Sequence, residues 1–147
     1  MRRTIMALAA LTVIGGCGNP SPTGGGGGAV TPLDVSGRWN IAYTFTYEGK
    51  TNNLDGNVQL IQNGSNVSGH IVRDDGGTGP SVSGAVNGQF LNLRVGPVSS
   101  SDGYMLSITS DTRMDSAVTT GSGPASIVIR QNDAEVRLDG TARITRR

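Results

Sequence analysis

Cysteine and histidine are almost missing from this chain. Its 147 residues include one Cys, one His and one Trp. A single thiol excludes an intrachain disulfide, and one Cys with one His cannot complete a structural zinc site. Lysine is scarce too: Lys50 stands alone, and arginine supplies the rest of the 12 basic residues. Charged residues make up 16% of the chain and aromatic residues 4%. The 11 acidic residues bring the net charge to +1. No basic stripe exists to neutralise a phosphate backbone, which argues against nucleic acid as a partner. No stretch shows the 3.6-residue apolar period of an amphipathic helix. No apolar run reaches the roughly 20 residues that a membrane-spanning helix needs. The excess is in glycine, 23 of 147 residues, more than twice the usual share of about 7%. The length allows one domain.

The N-terminus is the most informative stretch. Met1-Arg2-Arg3 is a short positive segment, and Ile5 to Ile14 is an apolar run of signal-peptide length. Ile14-Gly15-Gly16-Cys17 follows. This sequence resembles the lipobox of bacterial lipoproteins, with an aliphatic residue, two small residues and the cysteine that takes the lipid. The resemblance implies that residues 1–16 are a signal peptide. It also implies that the Cys17 thiol becomes acylated, with chains of the palmitate kind. The address is then the bacterial cell envelope, lipid-anchored, facing the periplasm or the exterior. Gly18 stands where an inner-membrane retention signal would place Asp, so the outer membrane is favoured. Several acyl chains on one residue make a stable anchor. Loss of Arg2 and Arg3 with the signal would leave ten of the 12 basic residues against 11 acidic ones.

Residues 17–32 carry three Pro and the run Gly24 to Gly28. Such a segment has no face to bury and reads as a tether of about 20 Å as a coil. The domain then spans residues 33–147. From Ser36 onward the apolar period is two. Trp39, Ile41, Tyr43, Phe45 and Tyr47 alternate with smaller or polar residues, the mark of a strand with one buried face. The same alternation recurs to the C-terminus, including Met114/Ser116/Val118 and Val136/Leu138. Turns are expected at Asn63–Asn66, Asp74–Pro80, Asn87-Gly88, Gly96-Pro97, Asp102-Gly103, Gly121–Pro124 and Asn132-Asp133. Short turns between consecutive strands imply an antiparallel meander.

A small motif repeats: Val35-Ser36-Gly37, Val67-Ser68-Gly69 and Val82-Ser83-Gly84, with Leu54-Asp55-Gly56 and Leu138-Asp139-Gly140 alongside. In each, the aliphatic residue and the Gly share the buried face. Inward glycine lets a strand coil and lets the opposite wall approach. The expected fold is therefore all-β, a small antiparallel up-and-down β-barrel of about eight strands. A β-sandwich is the alternative.

Gly37-Arg38-Trp39 opens the first strand. It resembles the G-x-W signature of the calycin group, which includes lipocalins, avidins and fatty-acid-binding proteins. The resemblance implies that Trp39 plugs one end of the barrel and that a basic residue late in the last strand lies across the indole. Arg146 shares parity with Ala142 and Ile144 and fits best; Arg143 is the alternative. The order of elements and the closing set Gly37, Trp39 and Arg146 carry over, but no ligand does. Bacterial lipoproteins that inhibit proteases with a small barrel are similar in outline.

Other chemistry is thin. His70 lies on the outward parity of its strand. A Ser/His/Asp arrangement of His70 with Asp74 or Asp75 lacks the buried, oriented imidazole that catalysis needs. Glu48, Asp55, Asp74, Asp75, Asp102, Asp111 and Asp115 do not follow the spacing of a calcium loop. Gly76-Gly77-Thr78-Gly79 lacks the Lys of a phosphate loop. No enzyme activity, metal or cofactor is expected. Trp39, Tyr43, Phe45 and Tyr104 are the candidate lining of a ligand cavity. The expected function is a non-catalytic binding barrel on the envelope that carries a small apolar ligand. The alternative is a filled barrel that binds an envelope protein through loops at 74–81, 97–103 and 119–125, as an inhibitor or assembly factor does. Replacing Cys17 by Ser should release the protein from the membrane fraction and abolish metabolic labelling with radioactive fatty acid; continued labelling would refute the lipobox assignment.

Overall fold

Alternating apolar and polar side chains turn nearly all of the domain into strand. The structure, a computed structural model, describes residues 33–99 and 103–147. The expected signal peptide, Cys17 and tether, and residue Asp102, lie outside the described residues. Eight strands follow one another: β1 (Gly37–Tyr47), β2 (Lys50–Asn63), β3 (Asn66–Val72), β4 (Thr78–Asn87), β5 (Phe90–Ser99), β6 (Tyr104–Met114), β7 (Thr120–Gln131) and β8 (Ala134–Arg146). Each pairs antiparallel with the next. β8 returns to β1, with Trp39 opposite Arg146 and Phe45 opposite Gly140. The sheet is thus a closed up-and-down barrel in the order β1 to β8, not a sandwich.

The barrel has two distinct ends. The start of β1, the end of β8, and the β2–β3, β4–β5 and β6–β7 turns share one, the closed end. The β1–β2, β3–β4, β5–β6 and β7–β8 connections share the other, the mouth. Hairpin chemistry matches this layout. At the mouth, Glu48 and Gly49 both take left-handed φ values, 50° and 74°, as a two-residue turn between twisted strands requires. At the closed end, Val118 sits at φ 54°, a strained value for a β-branched residue. Its side chain packs on the core and its N–H donates to the Asp115 carbonyl, which hold it there.

Inward positions are mostly apolar, with Ser110 and Thr112 the buried polar exceptions: Trp39, Ile41, Leu60, Leu91, Leu93 and Ile127 are among the most buried. Outward positions are mostly Ser, Thr, Asn and Arg, the reverse of a membrane-spanning barrel, whose apolar band faces lipid. The buried apolar residues form one cluster that runs from Val35 to Ile144, so the described segment carries a complete core of its own.

Two sequence expectations are corrected. The alternation over Met114–Val118 does not form a strand: β6 ends at Met114 and the rest is the β6–β7 turn. There the Asp115 carboxylate accepts from the Thr119 N–H and hydroxyl and from the Thr120 hydroxyl, and local side-chain bonding wins over the apolar period. The breakers at Pro80, Gly96-Pro97 and Gly121–Pro124 lie inside β4, β5 and β7 rather than between strands. Pro80 and Pro97 fall at register shifts in the β3–β4 and β5–β6 ladders. Pro124 falls where β6–β7 pairing lapses between Ser110–Ala125 and Arg113–Ser122. A residue without an N–H is tolerated in a sheet at such irregularities.

Inward glycine is needed where adjacent strands crowd. A Cβ on Gly69, Gly84, Gly123 or Gly140 would fall on the carbonyl oxygen of Gln59, Asn92, Asp111 or Thr44 of the neighbouring strand. These contacts fall at the β2–β3, β4–β5, β6–β7 and β8–β1 pairs, at every second pair around the barrel. Gly84→Ala should therefore cost more than about 1 kcal/mol; an unchanged urea midpoint would show that the wall has slack at this site.

Candidate functional site

The closed end is sealed from both termini of the domain. Val35 is fully buried and its carbonyl accepts a 2.8 Å bond from Trp39 Nε1. The Val35 N–H donates to Gln62 Oε1 at 2.9 Å. Trp39 itself is fully buried, with its one polar atom satisfied. The Arg146 guanidinium carbon lies 4.9 Å from the centroid of the indole. Arg146 Nη2 donates to the Asp34 and Ser36 carbonyls at 2.8 and 3.0 Å. Stacking of this kind is worth about 0.5–1 kcal/mol at an exposed site. Arg143 points outward and is exposed, so Arg146 is the residue that meets Trp39. Gly37, at φ 124°, takes the sharp entry into β1. The Asp34 carboxyl is held below its ordinary value by the Ser36 N–H, then by the Ser36 hydroxyl and Arg146. Asp115, at the same end, is held at about 2 by the hydroxyl and N–H of Thr119 and the contacts of Thr120.

The mouth differs. Most of its inward positions are apolar but incompletely covered; Asn52, opposite Phe45, is a polar exception. Tyr47 on β1, Leu54 on β2 and Val136 on β8 are 45%, 37% and 41% exposed. Below them Phe45, Ile71, Val98, Leu106 and Ile129 are half-buried. Strand pairing also thins here. β1 and β8 part beyond Phe45–Gly140, and β2 and β3 part beyond Asn57–Val72. A cleft of about 580 Å³ opens at that second parting, lined by Asp55 to Asn57 and Ile71 to Asp75. The Asn57 Oδ1 beside it is buried without a hydrogen-bond partner.

The four aromatic residues expected to share a cavity are therefore divided. Trp39 belongs to the plug. Phe45 and Tyr104 are half-buried at the mouth, on β1 and β6. Tyr43 lies between, 5% exposed. Burial pushes its phenol upward, and the neighbouring Ser110 hydroxyl offsets part of this. The Tyr43 oxygen still has no partner of good hydrogen-bond geometry. The aliphatic members of the mouth escaped the sequence reading. Leu54, Ile71, Leu106, Ile129 and Val136 carry the same inward parity as core residues, and only their distance from the plug marks them.

His70 lies on the outer wall of β3, opposite Gln59 and Ser81, with no carboxylate as a strand partner. Among the described residues no group of three or more His, Cys, Asp or Glu is placed to hold a metal. The three loop segments expected as contact sites lie partly within strands and at both ends of the barrel. Residues 78–81 belong to β4, 97–99 to β5 and 120–125 to β7, and Thr119 is at the end opposite the other two loops. No protein-family model matches the chain, and no curated protein matches it significantly. Trp39→Ala should destabilise the barrel by about 3–5 kcal/mol, the cost of deleting a large buried aromatic residue; a urea midpoint equal to that of the parent would refute the plug.

Proposed function

We propose that the protein is a lipid-anchored bacterial envelope lipoprotein, held through Cys17, whose calycin-like barrel is a non-catalytic binding module for a small apolar ligand. The observation that carries this reading is the ring of inward apolar residues left half-exposed at the mouth, among them Phe45, Leu54, Leu106 and Val136. Inward positions of a soluble domain are normally covered, and an uncovered apolar concavity is the usual form of a ligand site. The plug supports the same reading. Trp39 and Arg146 stabilise the barrel from one end, so the other end is free of that task. An eight-stranded barrel has an interior wide enough for side chains or one small ligand. Tyr43 and Ser110 would form the polar floor beneath such a ligand, and Tyr104 would flank it.

Native mass spectrometry of residues 33–147, purified from an envelope extract without detergent, tests the reading. The expected result is an added mass that survives gentle ionisation and is lost on denaturation. A bare mass, with no uptake of an added fluorescent apolar probe, would overturn it in favour of a filled barrel that acts on an envelope protein through its loops.

A further inference from the structure

The two ends of the barrel differ in charge as well as in shape. Arg38 is the second residue of β1, Arg113 the last but one of β6, and Arg143, Arg146 and Arg147 close the chain. All five gather toward the closed end and all are exposed. The ion pairs among the described residues are Arg73–Asp75, Arg130–Glu135 and Arg137–Asp139, so none of the five is paired with a carboxylate. The acids nearest to them are Asp34, Asp111 and Asp115, and the β2–β3 and β4–β5 turns at this end are neutral. At the mouth the balance reverses: Glu48, Asp74, Asp75, Asp133 and Glu135 stand there against Lys50, Arg73 and Arg130, and Arg73 and Arg130 are paired with Asp75 and Glu135. Two exposed apolar side chains belong to the basic end. Phe90 begins β5 beside Arg113 and is 49% exposed, and Ile61 near the end of β2 is 60% exposed.

We propose that this closed end is a docking face for an anionic lipid surface. Exposed arginine with interspersed apolar side chains is the composition that binds a membrane interface, through attraction to anionic headgroups and burial of apolar area. Arg146 is engaged with Trp39 and the Asp34 and Ser36 carbonyls, but Arg38, Arg113, Arg143 and Arg147 are available to lipid phosphates, which arginine can bind bidentately. Chain connectivity points the same way. Leu33 and Val35 pack at the closed end, so the segment that carries Cys17 joins the barrel at the face proposed to meet the lipid. This deepens the lipoprotein reading: the basic end rests on the membrane and the acidic mouth is turned away from it.

Vesicle co-sedimentation tests the proposal on the segment from Gly18 to Arg147, which retains the whole core and lacks Cys17. The vesicles are phosphatidylcholine with and without phosphatidylglycerol. Binding is expected only with phosphatidylglycerol and should fall as salt is raised. Arg38→Gln, Arg113→Gln and Arg143→Gln should each weaken it about five-fold, the equivalent of about 1 kcal/mol for each basic group at such a surface. Phe90→Ser should weaken it further, whereas Lys50→Gln and Arg73→Gln at the mouth should leave it unchanged. Equal binding to both vesicles, or equal loss from the mouth variants, would overturn the proposal. Because the segment has no Cys17, the result is independent of acylation. A failed lipoprotein reading would appear separately, as full chain without incorporated fatty acid.

Discussion

The closure of β8 onto β1 is the constraint on which everything else rests. Asp34 and Arg146 are 112 residues apart in sequence, yet one guanidinium joins the Asp34 and Ser36 carbonyls to the face of Trp39. Without that seam β1 and β8 would be open edges, with unpaired N–H and C=O groups ready to add a foreign strand. The seam also buries the largest side chain of the protein. Trp39 is tolerated there because its N–H has the Val35 carbonyl as partner. The pairing is the last in chain order and the most distant, so this topology is expected to fold slowly relative to local-contact folds.

A narrow barrel closed by a large aromatic residue needs small residues elsewhere. Gly69, Gly84, Gly123 and Gly140 supply them at alternate strand pairs, where backbone comes within reach of any side chain that replaced a hydrogen. Their cost is conformational entropy, and the high glycine content of the chain follows in part from this geometry. The outcome is an interior graded along its axis, tightly packed around the plug and progressively less covered toward the mouth. Concentrating cohesion at one end is what leaves apolar inward side chains of the other end partly in contact with water.

The same axis orders the charges. Exposed carboxylates collect in the mouth turns, where Asp and Asn suit tight turns, and unpaired arginine collects around the plug. Surface ion pairs contribute little to stability, so this separation has small consequences for folding and larger ones for what each end attracts. The half-covered mouth and the basic face thus share one coordinate system, defined by the direction of β1.

Much of the fold was legible in the residues. Period-two alternation over Trp39–Tyr47 and its repeats specified strands with one buried face, and short turns between them specified neighbours in space. The resemblance of Gly37-Arg38-Trp39 to the G-x-W signature implied the plug, and parity, a local property, preferred Arg146 over Arg143 as its partner. Errors came where local signals compete. Pro80, Pro97 and Pro124 signal a break in any chain, but at an irregular ladder position a strand passes through them. Met114–Val118 has the right alternation, yet Asp115 gathers the Thr119 and Thr120 donors into a turn. The division of the aromatic residues, with Trp39 at the plug and Phe45 and Tyr104 at the mouth, was out of reach. Alternation tells which face a residue occupies but not its depth. Depth depends on the stagger of eight strands around a closed ring, and only the tertiary structure sets that, because each register is decided by packing against both neighbours at once.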